Sequence, residues 1–219
     1  MVLLKKNICY TNGDMKPKPL VKNAGHPKGF FGKVMIRVMN KEHSSLSLWG
    51  LSHLPKKEYR SALDIGCGGG INLLRLSEFC DKVYGIDVSD LSVAESKKRC
   101  KKLLKAGRAE IATGKADALP YAEDSMDLVT AFETVYFWGD LTKCFSGVYR
   151  TLRKGGVFLI VNELKKDKNN PDKYENIREV LDLTVYDGEE LVDALSGAGF
   201  KDASVFTEGD DWICAVAIK

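Results

Sequence analysis

From about residue 59 onward, apolar positions fall into two alternating rhythms. Continuous runs at 60–65, 82–87, 109–113, 127–132 and 157–162 read as buried strands, and stretches of helical spacing at 70–79, 90–106, 140–152 and 189–198 read as helices. Strand and helix in regular alternation predict a parallel sheet with helices on both faces. The alternation breaks near the end. Gly197-Ala198-Gly199-Phe200 stops the last helix, and 203–207 and 211–218 follow as two strands joined across Glu208-Gly209-Asp210. Because a parallel crossover needs a dozen or more residues, this pair is antiparallel, and the last strand enters an otherwise parallel sheet in the opposite sense.

Upstream of residue 59 the pattern is different. Residues 1–28 carry Gly13, Pro17, Pro19, Gly25 and Pro27 with few periodic apolar positions, which predicts coil. Phe30, Phe31, Val34, Met35, Val38 and Met39 then fall on one helical face, and a second short helix is expected over about 45–53, ending before Pro55. The expected organisation is a basic N-terminal arm with a helical lid, 1–58, followed by an α/β domain, 59–219. An insertion at about 163–188 interrupts that domain. Within it Tyr174, Ile177, Val180, Leu181 and Leu183 predict a helix beginning near Pro171.

Composition adds bounds rather than detail. With 219 residues, 44% of them apolar, the chain can bury a core without covalent staples. Its six cysteines, at 9, 67, 80, 100, 144 and 214, have neither C-x-x-C spacing nor histidine partners at metal-ligand spacing, so reduced thiols and no metal are expected. The longest apolar run, 157–161, is too short to span a bilayer, and no signal peptide is legible; the expected location is the cytoplasm. Charge is uneven. Residues 1–42 hold nine Lys or Arg against Asp14 and Glu42, so the rest of the chain is net negative although the whole is +3. Such an arm is either a solvated leader or a surface that draws in an anionic substrate; there is no clear nucleic-acid signature, and the oligomeric state is not legible.

The candidate chemistry centres on Leu63-Asp64-Ile65-Gly66-Cys67-Gly68-Gly69-Gly70. A strand ending in a glycine loop at a helix start lets a ligand approach the backbone closely and offers free N–H groups. A dinucleotide fingerprint, G-x-G-x-x-G, would need glycine where Ile71 stands, and no G-x-x-x-x-G-K-[ST] occurs. What stands instead is Asp64 followed by Gly66, Gly68 and Gly70. Asp87 ends the second strand, Asp117-Ala118-Leu119-Pro120 follows the third, and Glu133-Thr134-Val135-Tyr136-Phe137-Trp138 follows the fourth.

In this set and order the motifs over residues 60–219 resemble the class I S-adenosylmethionine-dependent methyltransferases, nearest the UbiE-like, type 11 group. The resemblance implies a Rossmann-like sheet and an enzyme that uses S-adenosyl-L-methionine and releases S-adenosyl-L-homocysteine. It also implies roles. Asp64 and the loop residues Gly66, Cys67, Gly68 and Gly70 would hold the methionine end, Asp87 with Val88 the ribose, and Asp117 with Ala118 the adenine. Glu133 would face the cofactor or orient the acceptor, with Tyr136, Trp138 and, from the lid, Trp49 as substrate contacts. Glu133 and His43 are the candidate catalytic bases, with His53 a third; a base is needed only if the acceptor must lose a proton. The expected acceptor is a small molecule. A methyltransferase for RNA or protein, with the basic arm as docking surface, and a non-catalytic cofactor-binding module are the alternatives. No Asn/Asp-Pro-Pro-aromatic element follows the fourth strand, which counts against methylation of nucleobase amino groups.

Overall fold

The computed structural model describes residues 44–219. Along it run α1 (Ser44–Ser52), β1 (Tyr59–Ile65), α2 (Ile71–Leu76), β2 (Cys80–Asp87), α3 (Asp90–Arg99), α4 (Lys101–Lys105) and β3 (Ala109–Thr113). Then come β4 (Met126–Phe132), a 3-10 turn (Val135–Phe137), α5 (Leu141–Thr151), β5 (Leu152–Asn162), α6 (Glu175–Leu181), α7 (Gly188–Gly197), β6 (Asp202–Glu208) and β7 (Trp212–Ile218). The seven strands form one sheet in the order β3-β2-β1-β4-β5-β7-β6. The pairings from β3 to β5 are parallel, and β7 pairs antiparallel with both β5 and β6, as the short final connection required.

Period-two alternation sends the side chains of the central strands to two separate cores. Leu63, Ile65, Val129, Phe158 and Ile160 meet Phe145 and Val148 of α5 and Leu191 and Leu195 of α7. Ala62, Val83, Leu128, Leu159 and Val161 meet Leu46 of α1, Leu73 and Leu76 of α2 and Val93 of α3. A third, smaller core gathers Leu164, Tyr174, Ile177, Leu183 and Val185 of the insertion around Tyr136. Gly50 lets α1 lie directly on β5, where a β-carbon would run into the Val161 side chain.

Several boundaries moved for local reasons. The helix expected over 90–106 breaks at Cys100 into α3 and α4, and the buried Cys100 thiol reaches the Gly70 carbonyl at 3.7 Å. The helix expected over 70–79 stops at Leu76, capped by Ser77, whose hydroxyl donates to the Leu74 carbonyl at 2.7 Å. Turns around Asn170–Lys173 delay the insertion helix, expected from Pro171, to Glu175. Strand β5 begins at Leu152 rather than 157, because Arg153-Lys154-Gly155-Gly156 bulges between two paired stretches instead of ending the strand. The helical stripe at Phe30–Met39 and the candidate base His43 lie outside the described residues. Among the described residues no helix is long and apolar enough to cross a membrane, and no cluster of His, Cys, Asp or Glu could hold a metal.

Candidate active site

At the carboxyl ends of the parallel strands the loops converge on a cavity of about 410 Å³. Taken in sheet order β3-β2-β1-β4, those loops present Asp117, Asp87, the glycines 66, 68 and 69, and Glu133 to it. Three inter-strand steps of about 4.8 Å place the ends of this series roughly 14 Å apart. Strand order thus sets out the candidate groups along a line suited to an elongated ligand.

The glycines serve different ends. Gly66 (φ 74°) lies against Thr134 of the β4 loop, and a β-carbon there would collide with the Thr134 hydroxyl. At Gly68 (φ 52°) a β-carbon would meet only the Gly66 carbonyl oxygen, at 3.9 Å, and the Gly68 N–H donates to Asp87 Oδ2 at 2.9 Å. Gly70 (φ 77°) does not line the cavity. Its missing β-carbon makes room for Ser96 of α3, whose Oγ would lie 2.6 Å from it. Cys67 lines the cavity but is buried, and burial pushes its thiol up, away from the nucleophilic thiolate.

Asp87 is fixed from two sides. Besides Gly68, the Ser89 N–H donates to its Oδ1 at 2.8 Å, so the carboxylate faces the cavity in one orientation. Val88 beside it is half exposed and lines the cavity. Asp117 also lines it and lies 3.6 Å from the Lys143 ammonium, whereas Ala118 turns away to solvent and Ala116 takes the lining position. Asp64 is buried beneath the wall rather than in it. Thr130 Oγ1 donates to its Oδ1 at 2.7 Å, and burial raises its carboxyl to about 7.

Beyond the loop lies a second group. Glu133 is half-buried in a left-handed conformation (φ 58°), which few non-glycine residues adopt. Tyr136 donates its hydroxyl to Glu133 Oε1 at 3.0 Å, the Glu163 N–H donates to the same oxygen, and the Leu164 N–H donates to Tyr136 Oη at 2.7 Å. Burial, with the Glu163 carboxylate nearby, raises Glu133 to about 8. Tyr136, Phe137 and Trp138 all line the cavity, and the Trp138 indole donates to Thr134 Oγ1 at 3.3 Å.

Trp49 is not part of this group. Its ring meets Trp212 at 5.6 Å and His53 at 5.0 Å, and His53 in turn stacks on Phe206 at 4.1 Å, so both lie in an aromatic cluster over β6 and β7. Helix α1 reaches the cavity through Ser47 instead, because a helix turns 100° per residue and the face carrying Trp49 points elsewhere. Asn72, Arg75 and Lys143 also line the cavity and were not singled out from the sequence, and Leu181 and Leu183, read there only as helix positions of the insertion, line it too. Asn72 and Arg75 occupy one helical face three residues apart immediately after the loop, a spacing that by itself does not tell a ligand contact from a solvated face.

The profile of the methyltransferase domain family matches residues 63–160, a stretch that begins in β1, includes the glycine loop and ends in β5. An uncharacterized methyltransferase of Bacillus subtilis, YdaC, is 23% identical over 170 residues, covering 77% of this chain and 86% of its own length. The chain is similar to S-adenosylmethionine-dependent methyltransferases. Sterol 4-C-methyltransferase of Caenorhabditis elegans is 22% identical over 154 residues, 69% of this chain, and the match spans 45% of that protein's length. Among solved structures, a methyltransferase of Haloferax volcanii in complex with the Trm112 activator shares the fold, with a TM-score of 0.71 at 19% identity over 84% of this chain and 92% of its own. The methyltransferase site fits the family's cofactor on its own terms. Gly68 leaves its cavity side free of side chains, and an oriented carboxylate stands one strand away at Asp87.

Proposed function

We propose that this methyltransferase transfers a methyl group to a small-molecule acceptor held against Glu133 and Tyr136. The observation that carries this reading is the continuity of one cavity from Asp117 and Asp87, past the glycine loop, to the hydrogen-bonded Glu133–Tyr136 pair, walled by Ser47 of α1 and Leu181 and Leu183 of the insertion. Walls of that kind suit a ligand that is enclosed rather than docked on a surface. When bound, S-adenosylmethionine supplies a sulfonium-activated methyl group, so the residues chiefly align the acceptor and exclude water. In this reading Asp87 accepts from the ribose hydroxyls, Asp117 accepts from the adenine amine, and Asp64 supplies negative charge beneath the methionine ammonium. Glu133, held by Tyr136 and the Glu163 N–H, takes the proton from a hydroxyl or amine acceptor as the new bond to carbon forms. In this reading residues 1–58 form the arm and lid, and among the described residues of that stretch Ser47 of α1 lines the cavity. Five unpaired cysteines among the described residues suit the reducing cytoplasm.

Calorimetry with S-adenosylhomocysteine tests the cofactor half. Asp87→Ala should weaken binding at least about tenfold while circular dichroism stays unchanged, since a charge-assisted hydrogen bond is worth roughly 1.5–3 kcal/mol. Unchanged affinity would refute the ribose assignment. Release of S-adenosylhomocysteine over a panel of hydroxyl and amine acceptors tests the other half. A second reading, action on RNA or protein, draws on the nine basic residues of 1–42 and on the fold neighbour solved with a Trm112 activator. Steep salt dependence of RNA binding would favour it.

A further inference from the structure

We propose that Arg75 is the anion anchor of the cavity and receives the carboxylate at the methionine end of the cofactor. The proposal rests on the methyltransferase reading above and assigns a residue that the glycine loop and the three aspartates leave out. Arg75 lines the cavity one helical turn past the loop. Its Nη1 donates to Asn72 Oδ1 at 2.5 Å and its Nη2 to Ser44 Oγ at 2.7 Å. Both partners are neutral side chains. They orient the planar guanidinium without cancelling its charge, and among the described residues Arg75 makes no ion pair. Burial disfavours that charge, Glu78 favours it, and the neighbouring Arg99, whose Nε donates to the Gly69 carbonyl at 2.6 Å, opposes it in part, with Asp64 favouring it again. A half-buried guanidinium in the cavity wall, held in a fixed fork by two neutral partners and with no carboxylate in ion-pair contact among the described residues, is built to gain an anion.

Position decides which anion. Asp117, Asp87 and the glycine loop follow one another across the ends of β3, β2 and β1, and Asn72 and Arg75 stand on the helix that leaves that loop. A ligand laid along this line with its adenine at Asp117 brings its amino-acid end to α2. Asp64 beneath the loop offers negative charge to the ammonium, and Arg75 offers a bidentate fork to the carboxylate, so the zwitterion meets two opposite charges.

Two ligands separate this role from a general effect on the site. S-adenosylhomocysteine carries the amino-acid chain, whereas 5′-methylthioadenosine has the same nucleoside and sulfur without it. Calorimetry on the full chain should find Arg75→Ala weakened for S-adenosylhomocysteine by about tenfold or more, as expected for losing a charge-assisted pair, with 5′-methylthioadenosine affinity held within about twofold. Arg75→Lys, which keeps charge but not the fork, should recover part of the loss. Equal loss for both ligands, or no loss for either, overturns the assignment. So does unchanged S-adenosylhomocysteine affinity with a raised acceptor KM, which would give the guanidinium to the acceptor. If the unaltered protein binds neither ligand, the cofactor reading itself fails, an outcome distinct from the others.

Discussion

Glu133 combines three features that seldom coincide: a place in the cavity wall, a left-handed backbone and a carboxyl raised to about 8. A group with that pKa is mostly protonated at neutral pH and becomes a competent base only as the pH rises. For a hydroxyl or amine acceptor, kcat should therefore climb through about pH 8, and Glu133→Gln should flatten the limb while lowering kcat about 10²–10⁴-fold. A pH profile of product release for the two proteins checks this; an unchanged limb in the variant would remove Glu133 from the proton path. The residue was legible because an acid ending a buried strand of a parallel sheet must stand at the ligand edge. Arg75 was not, because one guanidinium on a short amphipathic helix reads as an ordinary solvated face until Ser44, thirty-one residues earlier, is found beside it. Trp49 was misplaced for the complementary reason: the helix was legible, its rotation was not.

Among the elements, the junction of α2 with α3 depends on a contact invisible locally. Gly70 stands in a left-handed conformation with Ser96 Oγ where its β-carbon would be, and Cys100, four residues on, turns its thiol to the Gly70 carbonyl. Gly70→Ala should cost about 2–4 kcal/mol, backbone strain and overpacking together, and lower the melting temperature without exposing the loop's cavity side. Thermal melts of Gly70→Ala and Gly107→Ala compare the two directly. Gly107 is also left-handed (φ 69°) but has open space around it, so its loss should be strain alone. The sequence announced a turn at Gly70 and assigned it to the cofactor; its tertiary reason comes from 26 residues away. In the same way Gly155-Gly156 reads as a turn that precedes β5, whereas pairing with Met126 extends the strand back through it.

For the whole molecule, the parallel core and the antiparallel final pair were legible because period and connection length constrain them. The order β3-β2-β1-β4 was not, since β1 and β4 pair across more than sixty residues and no local pattern names the partner. That order brings buried carboxyls together at one edge, and they make the free protein's stability fall with pH. A carboxyl raised above its unfolded value stabilises the fold fully below about pH 4 and loses that contribution as the pH rises through its folded value. For Asp64 and Glu133 those folded values are about 7 and about 8. Denaturant melts of the ligand-free protein should lose stability between about pH 4 and 8, and Asp64→Asn should make that decline shallower below about pH 7.

Thr134 touches both halves of the site, pressed against Gly66 and bonded to the Trp138 indole. Trp138 is a fluorophore seated in the cavity wall, while Trp49 and Trp212 lie together over the last strands. A ligand entering at the glycine loop should therefore change the emission of one tryptophan of the three and leave the pair as an internal reference. Titrating S-adenosylhomocysteine into the unaltered protein and into Trp138→Phe would expose that signal by difference, making the molecule its own unlabelled optical sensor for the search through acceptors.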